Sequence, residues 1–179
     1  MSWRTLSSEV VYRNPWISVR EDQVIRPDGS PGLYGVVETT GPSVFVVALS
    51  DAGELLLVTQ DRYPTGRASV ELPAGNAAHE DPLNAARREL QEETGYVAES
   101  WTPLGVLDSM NGICTELQHV FLARELTHVG TDAQAEDGIT DVQWLPFDEA
   151  LERVRSGAIS DGQTASSLLL ALLELRRSD

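Results

Sequence analysis

One short segment with strong boundary signals, residues 82–94, constrains the fold more than any other part of this sequence. Asp81 suits the N-cap of a helix, Pro82 suits its first position, and Gly95 is typical of the residue that follows a helix end. Leu83, Ala86 and Leu90 recur at helical spacing. The pattern therefore predicts a helix over 82–94 with one apolar side facing a core.

The opposite side of this helix carries three carboxylates. Glu89, Glu92 and Glu93 fall within about 100° of one another, because an α-helix turns by ~100° per residue. Like charges four residues apart destabilise an isolated helix by a few tenths of a kcal/mol, so Glu89 and Glu93 favour a cation between them. Oxygen ligands that leave room for water and phosphate suit Mg²⁺. From the residues alone, a solvated acidic face and a metal site both remain open.

Strand patterns dominate the chain before this helix and return after it. Turn residues separate the strands of the first part, and two further helices close the sequence. The predicted strands are 9–13, 16–25, 33–40, 43–50, 54–63, 69–75, 101–110, 117–127 and 140–147, and the predicted later helices lie near 147–156 and 162–177. Mixed strands with helices on both sides predict the α/β class, as an α/β/α sandwich with a mixed β-sheet.

Composition narrows the possible partners. A chain of 179 residues, 41% of them hydrophobic, fits one ordinary globular core. The formal net charge of −15 leaves no basic stripe for phosphate contacts, so we expect no nucleic-acid partner. No apolar run approaches the ~20 residues that span a bilayer, and the N-terminus lacks the pattern of a secretory signal, so we expect no membrane association and a cytoplasmic location.

The stretch "GNAAHEDPLNAARRELQEETGY", residues 75–96, resembles the signature of the Nudix hydrolases. Its matching positions are Gly75, Glu80, Arg88, Glu89, Leu90, Glu92, Glu93 and Gly95. Four residues rather than five separate Gly75 from Glu80, so the loop before the helix is one residue shorter than the family pattern. Tyr96 stands in the last position, where an aliphatic residue is usual. The match predicts a Nudix fold.

The resemblance implies metal-dependent hydrolysis of a nucleoside diphosphate linked to another group, with Mg²⁺ or Mn²⁺ as cofactor. It assigns the metal ligands as the carbonyl of Ala74 and the carboxylates of Glu89, Glu92 and Glu93. Arg88 would orient a neighbouring glutamate, and Glu80 would brace the loop by an ion pair. Gly75 and Gly95 would be structural positions of the motif.

Two further stretches resemble the ADP-ribose pyrophosphatase branch of this family. In "QDRYPTGRASVELPAG", the resemblance implies that Arg62 and Arg67 meet the substrate's phosphates, with Glu71 nearby. In "MNGICTELQHVFLA", it implies that Glu116 lies beside the attacking water, as the general base; Glu92 is a second candidate. Ordinary surface arginines and an exposed glutamate are the alternatives for these positions.

The N-terminal segment adds a prediction about assembly. "NPWISVREDQVIRPDGSPGLYGVVE" reads as a long hairpin and resembles the segment that dimeric ADP-ribose pyrophosphatases exchange between subunits. We therefore predict an N-terminal β arm over 1–40, a Nudix domain over 41–179 and a homodimer. Trp16 and Tyr34 would contact the adenine, and packing is the alternative for both.

The substrate expected from these resemblances is ADP-ribose, cleaved to AMP and ribose 5-phosphate, or a related nucleotide sugar. A dinucleotide cofactor and an oxidised nucleoside triphosphate remain alternatives, because the helix does not distinguish them. A non-catalytic ligand sensor with the same fold is the alternative of another class. The presence of Glu89, Glu92 and Glu93 together argues against a sensor, which would not need all three.

Overall fold

The structure is a computed structural model that describes residues 2–130 and 138–177, and within these ranges the chain forms ten strands and three helices. The strands are β1 Arg4–Arg13, β2 Ile17–Ile25, β3 Pro31–Thr39, β4 Ser43–Ala48, β5 Glu54–Arg62, β6 Arg67–Glu71, β7 Ala74–Asn76, β8 Tyr96–Asp108, β9 Leu117–His128 and β10 Ile139–Pro146. The helices are α1 Pro82–Thr94, α2 Phe147–Ser156 and α3 Gly162–Leu175. None of the helices in the described part is long and apolar enough to cross a membrane.

Two sheets form the centre of the molecule. A four-stranded sheet has the order β7-β4-β9-β8, in which β4 runs parallel to β9 and the other pairs are antiparallel. A three-stranded antiparallel sheet has the order β10-β5-β6. Strand β4 and residues 55–58 of β5 are buried and consist mainly of Val, Leu and Phe, as expected where both faces of a strand are covered.

The two faces of β4 contact different helices. Val44 and Val46 pack with residues of α1 such as Leu90, whereas Phe45 and Val47 pack with α2 and α3. Successive side chains of a strand point to opposite faces, so the helices lie on both sides of the sheet. The predicted α/β/α sandwich with a mixed sheet is confirmed.

Helix α1 has the predicted bounds. The Asp81 side chain accepts a hydrogen bond from the Leu83 N–H at 3.0 Å, and Pro82 occupies the first turn. Gly95 ends the helix with φ of 75°, a left-handed conformation that glycine adopts without strain. Leu90 is buried in the core beneath α1, as the predicted apolar side requires.

The predicted single strand 69–75 is divided in two. β6 pairs with β5 in one sheet, and β7 pairs with β4 in the other. Pro73 lies between them, and it has no N–H to continue a ladder, while its carbonyl accepts from the Val46 N–H at 2.9 Å. At this division the chain passes from the three-stranded sheet to the four-stranded sheet, so that Ala74 and Gly75 lie next to α1.

The N-terminal segment is a three-stranded antiparallel sheet, β1-β2-β3, rather than a hairpin alone. Its first strand begins at Arg4, before the predicted start at Glu9, and all of its residues are exposed. β3 contacts the loop that precedes β9, since the Val37 N–H donates to the Ile113 carbonyl at 2.8 Å. The division of the chain at residue 40 stays a prediction.

Candidate active site

Arg88 lies at the centre of a group of carboxylates from α1 and from the loop before it. Its Nε donates to Glu80 Oε1 at 3.0 Å, and its Nη1 lies 2.7 Å from Glu92 Oε2 and 2.8 Å from Glu89 Oε1. Partial burial lowers the pKa of Arg88, but hydrogen bonds to Glu92 and Glu80 and the charge of Glu89 outweigh it, so the pKa lies above its ordinary value. Arg88 therefore remains a cation that holds three carboxylates together.

Glu89 and Glu93 are buried, at 8% and 4% exposure, and both meet the backbone before the helix. Glu93 Oε2 accepts from the Ala74 N–H at 2.9 Å. Glu89 lies against Gly75 so closely that a Cβ there would be 1.9 Å from its Oε1. Burying two carboxylates is costly without partners, and a solvated face would leave them in water. The burial thus favours a built site over a solvated acidic surface.

The shorter loop before the helix reaches Arg88 in spite of its missing residue. The Asn76 carbonyl accepts from Arg88 Nη2 at 3.2 Å, and the Ala77 N–H donates to the Pro42 carbonyl at 2.9 Å. Gly41 allows this close path, because a Cβ at that position would lie 2.5 Å from the Ala78 Cα. The start of the loop is therefore fixed to the helix through Arg88 and to the backbone at Pro42.

The donor set of this cluster fits a hard divalent cation. Every candidate ligand atom is an oxygen, which is the ligand type that Mg²⁺ and Mn²⁺ prefer. Among the described residues, no three His, Cys, Asp or Glu side chains already stand in a metal-ligating arrangement. Glu89 and Glu92 instead share Arg88, and Glu93 holds the Ala74 amide.

Arg62, Arg67 and Glu71 line a cavity of about 320 Å³. Arg62 Nε donates to Glu71 Oε1 at 3.0 Å, and Glu71 is buried. The hydrogen bonds to Glu71 raise the pKa of Arg62 despite its partial burial, and the charges of Asp161 and Glu93 raise it further. Glu71 lies three residues before Ala74, whose N–H bonds to Glu93, so a short stretch of chain connects this cavity to the carboxylate cluster of α1.

Glu116 lines a second cavity, of about 520 Å³. It closes the loop 109–116, since its carbonyl accepts from the Ser109 N–H at 3.2 Å. Asp161 and Gln163, at the start of α3, border both this cavity and the arginine cavity. The structure thus brings the predicted phosphate-binding residues and the predicted base to adjoining cavities.

Trp16 and Tyr34 lie far apart within one chain. Trp16 is 72% exposed, and its carbonyl accepts from the Thr40 N–H, whereas Tyr34 pairs with Asp22. Six residues of extended chain separate Thr40 from Tyr34, or about 20 Å. The two rings therefore lie at different positions along the N-terminal sheet.

Tyr34 also has contacts that the sequence did not indicate. Its hydroxyl donates to the Gly112 carbonyl at 2.7 Å, and its ring meets the edge of Trp3 at 5.2 Å between centroids. Tyr34 and Trp3 line a third cavity, of about 400 Å³, with Asp22 and Thr115. A role for Tyr34 at the adenine stays a prediction.

Sequence reasoning predicted the start of α3 near residue 162 but missed that this helix start borders two cavities. Asp161 is a recognisable N-cap, and its side chain accepts from the Thr164 N–H at 2.7 Å. The capping pattern agrees with the predicted helix start, but it does not give the position of that start between two cavities. That position depends on contacts with distant strands.

Comparison with known proteins agrees with this architecture. Residues 39–163 match the NUDIX domain, and residues 3–37 match the nucleoside diphosphate sugar hydrolase N-terminal domain. The chain is 33% identical to an ADP-ribose pyrophosphatase of Bacillus subtilis, over 92% of this chain and 90% of the relative. It is 37% identical to an ADP-ribose pyrophosphatase of Mycobacterium tuberculosis, over 93% of this chain and 82% of the relative.

A solved structure has the same fold. The crystal structure of an ADP compounds hydrolase superposes with a TM-score of 0.87 at 19% identity, over 99% of this chain and 96% of that chain. The domain match over residues 39–163 and the two pyrophosphatase relatives establish that the chain belongs to the NUDIX family of hydrolases.

Proposed function

We propose that this Nudix hydrolase cleaves the pyrophosphate bond of ADP-ribose, releasing AMP and ribose 5-phosphate, or that of a closely related nucleotide sugar. The observation that carries the proposal is the buried pair Glu89 and Glu93 on α1, joined through the Ala74 amide to the chain that leaves the cavity of Arg62 and Arg67. Two relatives that match nearly the whole chain are ADP-ribose pyrophosphatases, which supports the choice of substrate.

The residues proposed to hold a divalent cation are the Ala74 carbonyl and the carboxylates of Glu89, Glu92 and Glu93. When bound, Mg²⁺ or Mn²⁺ offsets the charge of the pyrophosphate and lowers the pKa of water. Arg88 contributes by fixing the side chains of Glu89 and Glu92 on the helix face. Glu80 and Asn76 in turn fix Arg88.

Arg62 and Arg67 are proposed to bind the diphosphate. A guanidinium presents several N–H donors in a fixed plane that matches phosphate oxygens. Glu71 orients Arg62 through its hydrogen bonds and holds it in the cationic form. Arg67 Nη2 donates to Ser160 Oγ at 3.2 Å, which directs it to the same cavity.

Glu116 is the proposed general base. Its carboxylate would accept a proton from the water that attacks phosphorus, and the leaving phosphate would depart on the opposite side. The support is its place in the cavity that adjoins the arginines. Glu92 is the second candidate, although its ion pair with Arg88 favours a supporting role.

We also propose a homodimer that acts in the cytoplasm. The support for the dimer is the exposed apolar surface of the N-terminal sheet, including Leu6, Val11 and Trp16. A second copy would cover these residues. It would also let Trp16 of one protomer and Tyr34 of the other meet at one adenine.

A substrate panel tests the proposed activity. Purified protein is incubated with Mg²⁺ or Mn²⁺ and with ADP-ribose, a pyrimidine nucleotide sugar, NADH or an oxidised nucleoside triphosphate. The expected result is AMP and ribose 5-phosphate in equal amounts, with ADP-ribose giving the highest kcat/KM. Reaction in ¹⁸O-labelled water shows which phosphorus is attacked. Faster hydrolysis of NADH or of the triphosphate would overturn the substrate assignment.

A further inference from the structure

Gln163, in the first turn of α3, joins three separate parts of the chain. Its Nε2 donates to Ser109 Oγ at 3.0 Å and to Ser43 Oγ at 3.3 Å. Its backbone carbonyl accepts from Gln118 Nε2 at 2.8 Å. Ser109 opens the loop before β9, and Ser43 begins the buried strand β4. Gln163 therefore connects a loop to the centre of the fold.

The first turn of α3, which carries Gln163, is held by buried contacts. Thr164 is fully buried, and its hydroxyl accepts from the Leu72 N–H at 3.2 Å, which fixes the first turn of α3 beside Glu71. Gln118 is 1% exposed and donates to Ser167 Oγ at 2.8 Å. These buried contacts leave the start of α3 little freedom relative to the arginine cavity.

The loop that receives Gln163 is the one that carries Glu116. Its outer part contacts the N-terminal sheet, through the Gly112 and Ile113 carbonyls. Its base is closed by the hydrogen bond from the Ser109 N–H to the Glu116 carbonyl. The Gln163 amide holds Ser109, so it fixes the same end of the loop from the side of α3.

The chemistry of the link is specific. A glutamine amide has two N–H donors, and here both are directed to serine hydroxyls. Leucine has a similar volume but donates nothing, so Gln163→Leu removes the link while leaving the cavity walls filled. The amide does not titrate, so its hold on Ser109 does not vary with pH.

We propose that Gln163 is a positioning residue for the hydrolytic reaction. By joining Ser109 to Ser43, it fixes the base of the loop 109–116 and sets where the Glu116 carboxylate lies relative to Arg62 and Arg67. This inference rests on the proposed function, in which Glu116 acts on the attacking water. Gln163 itself does not touch the reacting atoms.

Steady-state kinetics with ADP-ribose test the proposal. Gln163→Leu and Ser109→Ala should each lower kcat roughly tenfold to a hundredfold, since a small displacement of a catalytic group can cost that much. KM should stay near the wild-type value. Ser166→Ala is the matched control, because Ser166 lies on the same helix and cavity but bonds to Gln118 and Gln163 rather than to the loop.

Two double variants show whether the effect passes through the loop and Glu116. Gln163→Leu with Ser109→Ala should be no slower than the slower single variant, because both remove one link. In a Glu116→Gln background, Gln163→Leu should change kcat little further. A full additional loss of kcat in that background, or normal kcat in both single variants, would overturn the positioning role.

Hydrogen exchange separates this proposal from the proposed function. Gln163→Leu should speed amide exchange at Ser109, whose N–H bonds to Glu116, while Ser166→Ala should not. Unchanged exchange in Gln163→Leu would overturn the link itself, whatever the substrate. Faster exchange in a protein whose wild type hydrolyses no nucleotide sugar would instead overturn the proposed function.

Discussion

Strands β4 and β1 differ in burial, since every residue of Ser43–Ala48 is buried and every residue of Arg4–Arg13 is exposed. β4 lies between α1 on one face and α2 and α3 on the other, whereas β1 is the edge of the small N-terminal sheet. An exposed edge that carries apolar side chains is a surface on which another chain can pair or pack.

The difference has consequences for the site. Residues on α1 and its neighbouring strands are positioned by contacts within the chain, as Glu93 is by Ala74 and Arg88 by Glu80. Residues of β1, and Trp16 in the turn that follows it, are exposed instead. Substitutions near α1 should therefore change turnover, and substitutions in the N-terminal sheet should change assembly and affinity.

The largest effect is expected for Glu93→Gln. The substitution removes a proposed ligand charge, but the side-chain carbonyl can still accept from the Ala74 N–H, so the fold should persist while kcat falls by orders of magnitude. Thermal melts and kcat at saturating Mg²⁺ measure the two quantities. Glu99→Gln, on the exposed side of β8, is the matched control. A normal kcat in Glu93→Gln would remove this residue from the metal site.

Glu116→Gln should lower kcat by roughly 10²- to 10⁴-fold, the usual size of a general-base contribution. Substrate affinity should change little, because the side chain is not proposed to bind the phosphates. Glu116→Asp keeps the charge but moves it back by one methylene, so it should retain part of the activity. If kcat in Glu116→Gln is near normal, the base lies elsewhere, and Glu92 is tested next.

Gly75→Ala adds one methyl group next to α1, and Gly35→Ala adds one in the N-terminal sheet, so the pair compares the two regions. Its Cβ would lie 1.9 Å from Glu89 Oε1, so the carboxylate must move, and kcat should fall up to about a hundredfold. Gly35→Ala, in β3, is the control, because a Cβ there meets nothing within 4 Å. Equal kcat in the two variants would show that the position of Glu89 does not control turnover.

The sequence predicted the parts of the fold that local signals determine. Asp81, Pro82 and Gly95 act within a few residues of themselves, so the bounds of α1 were readable before the structure. The first part of β8 was not predicted, because Tyr96 pairs with His128 across a long chain separation and has little strand pattern around it. Pairing between distant segments decided the extent of that strand.

The same distinction applies to the site. Spacing within one helix placed Glu89, Glu92 and Glu93 on one face, and the structure places them with Arg88 and the Ala74 amide. Gln163 was missed because its partners Ser109 and Ser43 lie 54 and 120 residues away in the chain. No local pattern encodes such a junction.

The smallest effect on turnover is expected for Trp16→Ala, which tests the role of the exposed N-terminal region. If a second copy covers the N-terminal sheet, Trp16 of one protomer can stack on an adenine that Tyr34 of the other also contacts, whereas about 20 Å of extended chain separates the two positions within one protomer. Stacking of a base on an aromatic ring contributes about 1–3 kcal/mol, which corresponds to several-fold to about a hundredfold in affinity. Trp16→Ala should therefore raise KM for ADP-ribose by that factor, with kcat nearly unchanged and a smaller effect on a pyrimidine nucleotide sugar.

Leu169→Ala, which changes an exposed apolar residue on α3, is the control, and light scattering gives the oligomeric state of each protein. A monomeric wild type, or a dimeric Trp16→Ala variant with the wild-type KM, would leave Trp16 without a role at the adenine.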